Sequence, residues 1–247
     1  MHLTRFRLNT ARTGARRLLE SPQRLHAAVQ FGFPEVLAGH GADDTPADQP
    51  RALWRLDHIS RAEAHLYVVS QSEPDLTHLV EQAGWPHRAA TTGEPGWQTH
   101  HYRPFLNRLA KGDTFAFRLT ANPVHSVRRH AGEPTKRTAH VTPRHQLGWL
   151  TKRQEAAGFR LLSRENPPAT GRPEDGYEVV VHNRRDLSFT KSAPPVGKRA
   201  APVTLVTVTF DGRLEVTDPE ALRRTLTLGL GKAKAYGCGL MTLAPLP

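Results

Sequence analysis

Histidine is the side chain through which this sequence has most scope for proton chemistry. There are 14 of them, and His26 stands out by its neighbours. In the stretch Ser21-Pro22-Gln23-Arg24-Leu25-His26, a helix sets Gln23, His26 and Gln30 at i, i+3 and i+7. That polar stripe is separate from the apolar one of Leu25, Ala28 and Val29. An imidazole titrates near neutrality and can pass a proton in either direction. Arg24 beside it, and Arg12, Arg16 and Arg17 just upstream, supply cations for an anionic substrate. A histidine with a purely structural role on a surface helix is the alternative. Other reactive groups are scarce. Cys238 is the single cysteine and sits between Gly237 and Gly239, as a small packed residue more readily than as a nucleophile. One thiol excludes an internal disulfide framework and a zinc site of several thiolates. His58 and His65 flank a predicted turn, and the adjacent His100 and His101 point to opposite faces of a strand. With no cluster of carboxylates either, the sequence predicts no metal site and no cofactor.

The elements that must position His26 read as an alternation of strands and helices. Residues 2–9 form a strand with Leu3, Phe6 and Leu8 as its apolar positions, followed by a basic loop over Arg12–Arg17. Ser21 caps a helix that Pro22 opens and that stops near Gly32 and Pro34. Residues 39–50 (GHGADDTPADQP) are loop by composition. Strands at 51–57 and 65–72, a helix from Pro74 with Leu76, Leu79 and Val80 inward, and a strand at 100–106 complete the order β-α-β-β-α-β. That is the ferredoxin-like arrangement.

Much of that order recurs. Residues 114–121 (TFAFRLTA) make a strand, and Thr142-Pro143 opens a helix to Gly158 with Leu147 and Leu150 inward. Strands follow at 159–162, 178–182, 186–191 and 203–210. Asp211-Gly212 signals a tight turn into a partner strand at 213–216. Asp218-Pro219 then caps a last helix with Leu222 and Leu226. The fold class is therefore α+β, with two tandem ferredoxin-like (RRM-like, βαββαβ) domains spanning residues 1–108 and 109–247.

Charge separates the two halves. The 247 residues carry 34 basic and 23 acidic side chains, a net charge of +11. Residues 124–247 hold 20 of the basic groups against 11 acidic ones, whereas residues 1–123 are nearly balanced. Arginine outnumbers lysine 27 to 7, and its planar fork suits phosphate. A GC-rich genome also favours arginine, but it leaves the asymmetry unexplained. A polyanion facing the second half is the inference. No apolar run approaches the roughly 18 residues of a membrane span, and the first residues, MHLTRFRLNTARTGARR, have no signal-peptide core. A soluble, cytoplasmic protein with no membrane partner is expected.

At this point a resemblance carries further. HLTRFRLN, SPQRLHAAV, RALWRLD, FRLTANPVHSVR, HQLGWLTKRQEAAGFRLL, VTFDGRLEVTDPEALRRTLTLGLG and GLGKAKAYGCGLMTLAP stand in this order. Together they resemble the CasE family, the CRISPR RNA-processing endoribonucleases of type I-E systems, which belong to the repeat-associated RNA-binding superfamily and form part of Cascade. The tail Gly229-x-Gly231-x5-Gly237-x-Gly239, with Lys232 and Lys234, is similar to that superfamily's glycine-rich loop. Successive glycines let a backbone approach an anion closely, although a simple turn has the same composition.

The resemblance implies a metal-independent endoribonuclease with His26 as its catalytic histidine. It implies precursor and mature CRISPR RNA, bound at the repeat hairpin, and the other Cascade subunits as partners. A tyrosine that family members can carry three residues before this histidine is replaced here by Gln23. Lys191 is then the best candidate for a further catalytic group, with a surface charge as its alternative. A basic hairpin over 191–202, including Lys198 and Arg199, is implied to enter the RNA groove. Arg128, Arg129, Lys136, Arg137, Lys152 and Arg153 form a candidate phosphate track, with Arg16, Arg17 and Arg24 near the histidine. Two rivals remain open: a non-catalytic scaffold for the same hairpin, and a general basic nucleic-acid-binding module.

Overall fold

The computed structural model describes residues 1–33, 52–93, 96–127, 136–166, 173–190 and 202–246. They divide into two compact units. The first comprises Met1–Arg108 and Lys234–Leu240; the second comprises Leu109–Ala233 and the residues from Met241 onward. The glycine-rich tail, read from sequence as wholly part of the second domain, is therefore shared between the units.

The first unit holds β1 (His2–Asn9), α1 (Thr13–Leu19), α2 (Pro22–Phe31), β2 (Leu53–His58), β3 (Glu63–Ser70), α3 (Thr77–Ala83), α4 (Pro86–Thr92), β4 (Trp97–His101) and α5 (Arg103–Arg108). Its sheet runs β2-β3-β1-β4 with every neighbour antiparallel, the ferredoxin-like order. Phe6 and Leu8 of β1 alternate with half-exposed Arg5 and Arg7, so one face of the strand enters the core. There they meet Leu66 and Val68 of β3, Leu25, Ala28 and Val29 of α2, and Leu79, Val80 and Ala83 of α3.

Two local readings are corrected here. The basic stretch after β1 is a helix, α1, because Ala15 and Leu18 at i, i+3 are buried in the core. Arg12, just before it, donates to the carbonyls of Glu81 and Gly84 at 2.6 and 3.2 Å, satisfying acceptors at the end of α3. The last strand is Trp97–His101 rather than 100–106. Its register against β1, Phe6 opposite Trp97 through His2 opposite His101, uses up β1, and the chain turns into α5.

The second unit holds β5 (Thr114–Ala121), β6 (Val124–Val127), β7 (Lys136–Ala139), α6 (Pro143–Thr151), β8 (Phe159–Leu161), β9 (Val179–Thr190), β10 (Pro202–Val216), α7 (Pro219–Leu228) and β11 (Met241–Ala244). The sheet order β11-β5-β10-β8 repeats the ferredoxin-like order, while β9 pairs with the rest of β10. Helix α6 stops at Thr151, short of Gly158.

Asp211-Gly212 is not a turn. It lies inside β10, with Arg118 and Phe117 opposite on β5 and Val180 and Val179 opposite on β9. Asp211 takes two bonds from Arg118, at 2.7 and 2.6 Å, and lies 3.0 Å from His182. A Cβ on Gly212 would stand 2.5 Å from the Glu178 carbonyl oxygen. Pairing on both sides thus overrides the local turn preference. The two strands read at 178–182 and 186–191 are likewise one. A register shift opposite Thr207–Thr209 is absorbed where Asn183 takes φ +50°, a β-bulge.

Candidate active site

Helix α2 begins where Ser21 accepts a bond from the Arg24 amide at 3.4 Å and Pro22 supplies the first residue. Burial of Leu25, Ala28 and Val29 fixes its rotation. Arg24 is left exposed, and Gln23 and His26 are half-buried on successive turns. His78 of α3 ties the helix down through a 2.8 Å contact between Nε2 and the Ala28 carbonyl. The side-chain oxygen of Gln23 is buried and has no hydrogen-bond partner among the described residues. Arg16 and Arg17 are exposed on the neighbouring α1, and Arg16 reaches Thr13 Oγ1 at 3.3 Å.

A short turn of the tail, Lys234–Tyr236, packs against both α2 and β2. Two contacts hold the residues that follow it. Gly237 has φ +77°, and a Cβ there would stand 2.6 Å from the ring of Trp54. The Leu240 carbonyl accepts from Arg55 Nη1 at 3.1 Å. The structure therefore brings the helix that bears Gln23 and His26 together with the turn that begins at Lys234, while Gly237 lies against β2. Burial pushes the Cys238 thiol up to about 12, which removes it as a nucleophile at neutral pH.

The other half of the glycine motif belongs to the second unit. All four glycines have positive φ, and Gly231 passes so close to Trp149 that a Cβ would stand 2.8 Å from its ring. Lys232 is exposed and forms a bridge with Asn122. Arg137 on β7 and Lys152 after α6 are exposed. Arg153 has a packing role: its guanidinium lies 4.3 Å over the Trp149 ring and bonds that residue's carbonyl at 2.9 Å. Lys136 opens β7 opposite Val127. Arg128, Arg129, Lys191, Lys198 and Arg199 lie outside the described residues.

Two features, one in each unit, went unread in sequence. Arg55 was absorbed into a strand pattern, because its partners Asp57 and Leu240 are set by topology. A row of imidazoles, His125–His140 at 4.3 Å and His140–His145 at 5.9 Å, joins residues from β6 and from both sides of Thr142. Desolvation, then its histidine, lysine and arginine neighbours, lowers the pKa of His140.

The family model described as CRISPR associated protein matches residues 1–245. The chain belongs to this family. The CRISPR-associated endoribonuclease Cse3 of Thermus thermophilus is 32% identical over 247 residues, covering 99% of this chain and 100% of that one. The structure of CRISPR endoribonuclease Cse3 bound to a 19 nt RNA is 31% identical, with TM-score 0.70 over 99% and 100% of the two chains. A Thermus thermophilus Cse3 structure with an RNA representing a pre-cleavage complex is 30% identical, with TM-score 0.69 over 99% and 98%. Escherichia coli Cas6e, at 21% identity and TM-score 0.58 over the whole of both chains, is a likeness of fold.

Proposed function

We propose that this CRISPR-associated chain is an endoribonuclease that cuts precursor CRISPR RNA at its repeat hairpin, with His26 as the proton-transfer group. The RNA's own 2′-hydroxyl attacks the adjacent phosphorus, and the 5′-oxygen leaves. The products are a 2′,3′-cyclic phosphate and a 5′-hydroxyl. The imidazole moves the proton, in-line positioning of sugar and phosphate supplies much of the rate, and cations stabilise the charge that develops. The nucleophile is part of the substrate, so the step asks for no metal. One observation carries the reading: the His26 helix and the turn Lys234–Tyr236 between the tail's glycines, far apart in sequence, pack together in one unit.

Lys191 is assigned as the further catalytic group and Gln23 as the residue that orients His26 or the nucleophile. Arg16, Arg17 and Arg24 serve the phosphates near the cut. The glycines with Lys232 and Lys234, the track of Arg128, Arg129, Lys136, Arg137, Lys152 and Arg153, and the hairpin cations Lys198 and Arg199 hold the stem by shape and phosphate. Domain boundaries at 1–108 and 109–247, with the tail shared, divide cleavage from stem binding. After cleavage the chain stays on the mature RNA as a Cascade subunit in the cytoplasm. Gln23 in place of a phenol favours one second reading, a scaffold that binds the hairpin without cutting it.

The test is incubation with the repeat RNA in excess EDTA, beside His26→Ala and a substrate lacking the 2′-hydroxyl at the cut. Cleavage by the unmodified chain on the normal substrate alone is expected. Loss of cleavage in His26→Ala should reach at least about 100-fold with unchanged hairpin affinity. Binding without cleavage in every lane would overturn the nuclease reading and leave the scaffold.

A further inference from the structure

The first unit carries a pocket that the proposed cleavage site does not use. The turn Lys234–Tyr236 packs on β2, at one edge of the sheet. The pocket lies at the other edge, where Trp85 and Arg88 face Arg5 and Arg7 of β1 and Trp97 and Gln98 of β4. It encloses about 130 Å³, roughly the liquid volume of four waters and room for a planar ring.

Its lining combines two indoles with three guanidinium groups. Arg7 bonds both oxygens of Glu63, at 2.6 and 3.0 Å, and lies 5.3 Å over the Trp85 ring. Arg5 donates to the neutral amide oxygen of Gln98 at 2.5 Å. Among the described residues, Glu63 is the one carboxylate that pairs with these arginines, so the described lining carries an excess of positive charge. Guanidinium groups recognise phosphate, and an indole offers a flat face to any base. A protein carboxylate would use the charge and leave the rings idle. In A-form duplex the bases are already stacked, so a base that enters must be unpaired.

We infer that this pocket takes one nucleotide of the single-stranded RNA flanking the hairpin, its base against an indole and its phosphate at Arg5 and Arg88. The inference rests on the reading of the chain as a nuclease for CRISPR RNA. It adds a contact beyond the stem, on the edge of the unit away from the cut.

The full-length chain should be titrated with three RNAs blocked at the cut by a missing 2′-hydroxyl: the hairpin alone, the hairpin with unpaired flanks, and the same flanks made abasic. The flanked RNA is expected to bind about tenfold tighter than the bare hairpin, with most of that gain lost on the abasic flanks. In the double variant Arg5→Gln/Arg88→Gln the gain should vanish while affinity for the bare hairpin and its cleavage stay unchanged. Quenching of tryptophan fluorescence by the flank should vanish with it. No gain from the flanks in a chain that binds and cuts the hairpin would overturn the inference alone. A gain that persists in the double variant would overturn it too, as would a variant that loses the bare hairpin. A variant that keeps the gain but fails to join the other CRISPR subunits would assign the pocket to a protein instead. A chain that neither binds nor cuts the hairpin would remove the nuclease reading and this inference with it.

Discussion

Arg55 Nη1 donates to the carbonyl oxygen of Leu240 at 3.1 Å, joining residues 185 positions apart in the sequence. The same guanidinium forks onto Asp57 at 2.8 and 2.9 Å and lies 5.3 Å above the ring of Tyr67. Arg55 is 1% exposed and Asp57 7%. Removing one partner of such a pair strands the other charge in a dry site. Arg55→Met should therefore destabilise the chain by about 3–5 kcal/mol in urea unfolding. The double variant Arg55→Met/Asp57→Asn should recover part of that loss.

The approach of the tail to Trp54 makes a second prediction. Gly237→Ala must both hold a positive φ and push a methyl into the indole, at a cost of about 1–3 kcal/mol. Gly148 is the internal comparison. It lies inside α6 and nothing stands within 4 Å of its would-be Cβ. Gly148→Ala should be stabilising by about 0.5–1 kcal/mol. Thermal melts of the two variants should move in opposite directions.

Acid should act through Glu63. The hydrogen bond from Arg7, with a smaller one from His65, lowers its pKa from 4.5 to about 2. The folded chain thus resists protonating this carboxylate more than the unfolded chain does. Its contribution to stability is complete above about pH 4.5 and disappears as the pH falls towards 2. Glu63→Gln should be less stable than the parent at neutral pH, with the difference shrinking below pH 4.5. A difference that grows on acidification would contradict this.

Cys238 offers a chemical check on the packing of the tail. With the side chain fully buried and the thiol pushed up to about 12, the native chain should resist alkylation at pH 8 for hours. In denaturant it should react as an ordinary cysteine. Fast labelling of the native state would mean that the tail segment opens readily.

The features legible in the sequence were those set by near neighbours. Ser21, Thr142 and Asp218, each followed by proline, all cap the helices they announced. The inward residues Leu25, Ala28, Val29, Leu147, Leu150, Leu222 and Leu226 are all buried. Misreadings arose where distant partners decided. Asp211-Gly212 has turn chemistry, but strands on both sides hold it extended. Arg12–Arg17 has loop composition, yet burial of Ala15 and Leu18 and the open carbonyls of α3 recruit it into a helix. The same rule applies to the candidate site. The helix bearing His26 followed from its own cap and stripe, whereas its glycine-rich neighbour arrives from the opposite end of the chain, and no local pattern announces that meeting.

The path of the backbone sets a timetable for synthesis. A nascent chain that has emerged as far as Arg108 contains the whole four-stranded sheet and the helix of His26. It still lacks Lys234–Leu240, the stretch that lies against Trp54 and satisfies Arg55. Until those residues leave the ribosome, a buried guanidinium and a tryptophan face await their cover. Completion of the His26 neighbourhood therefore waits until the entire second sheet except β11 has been made.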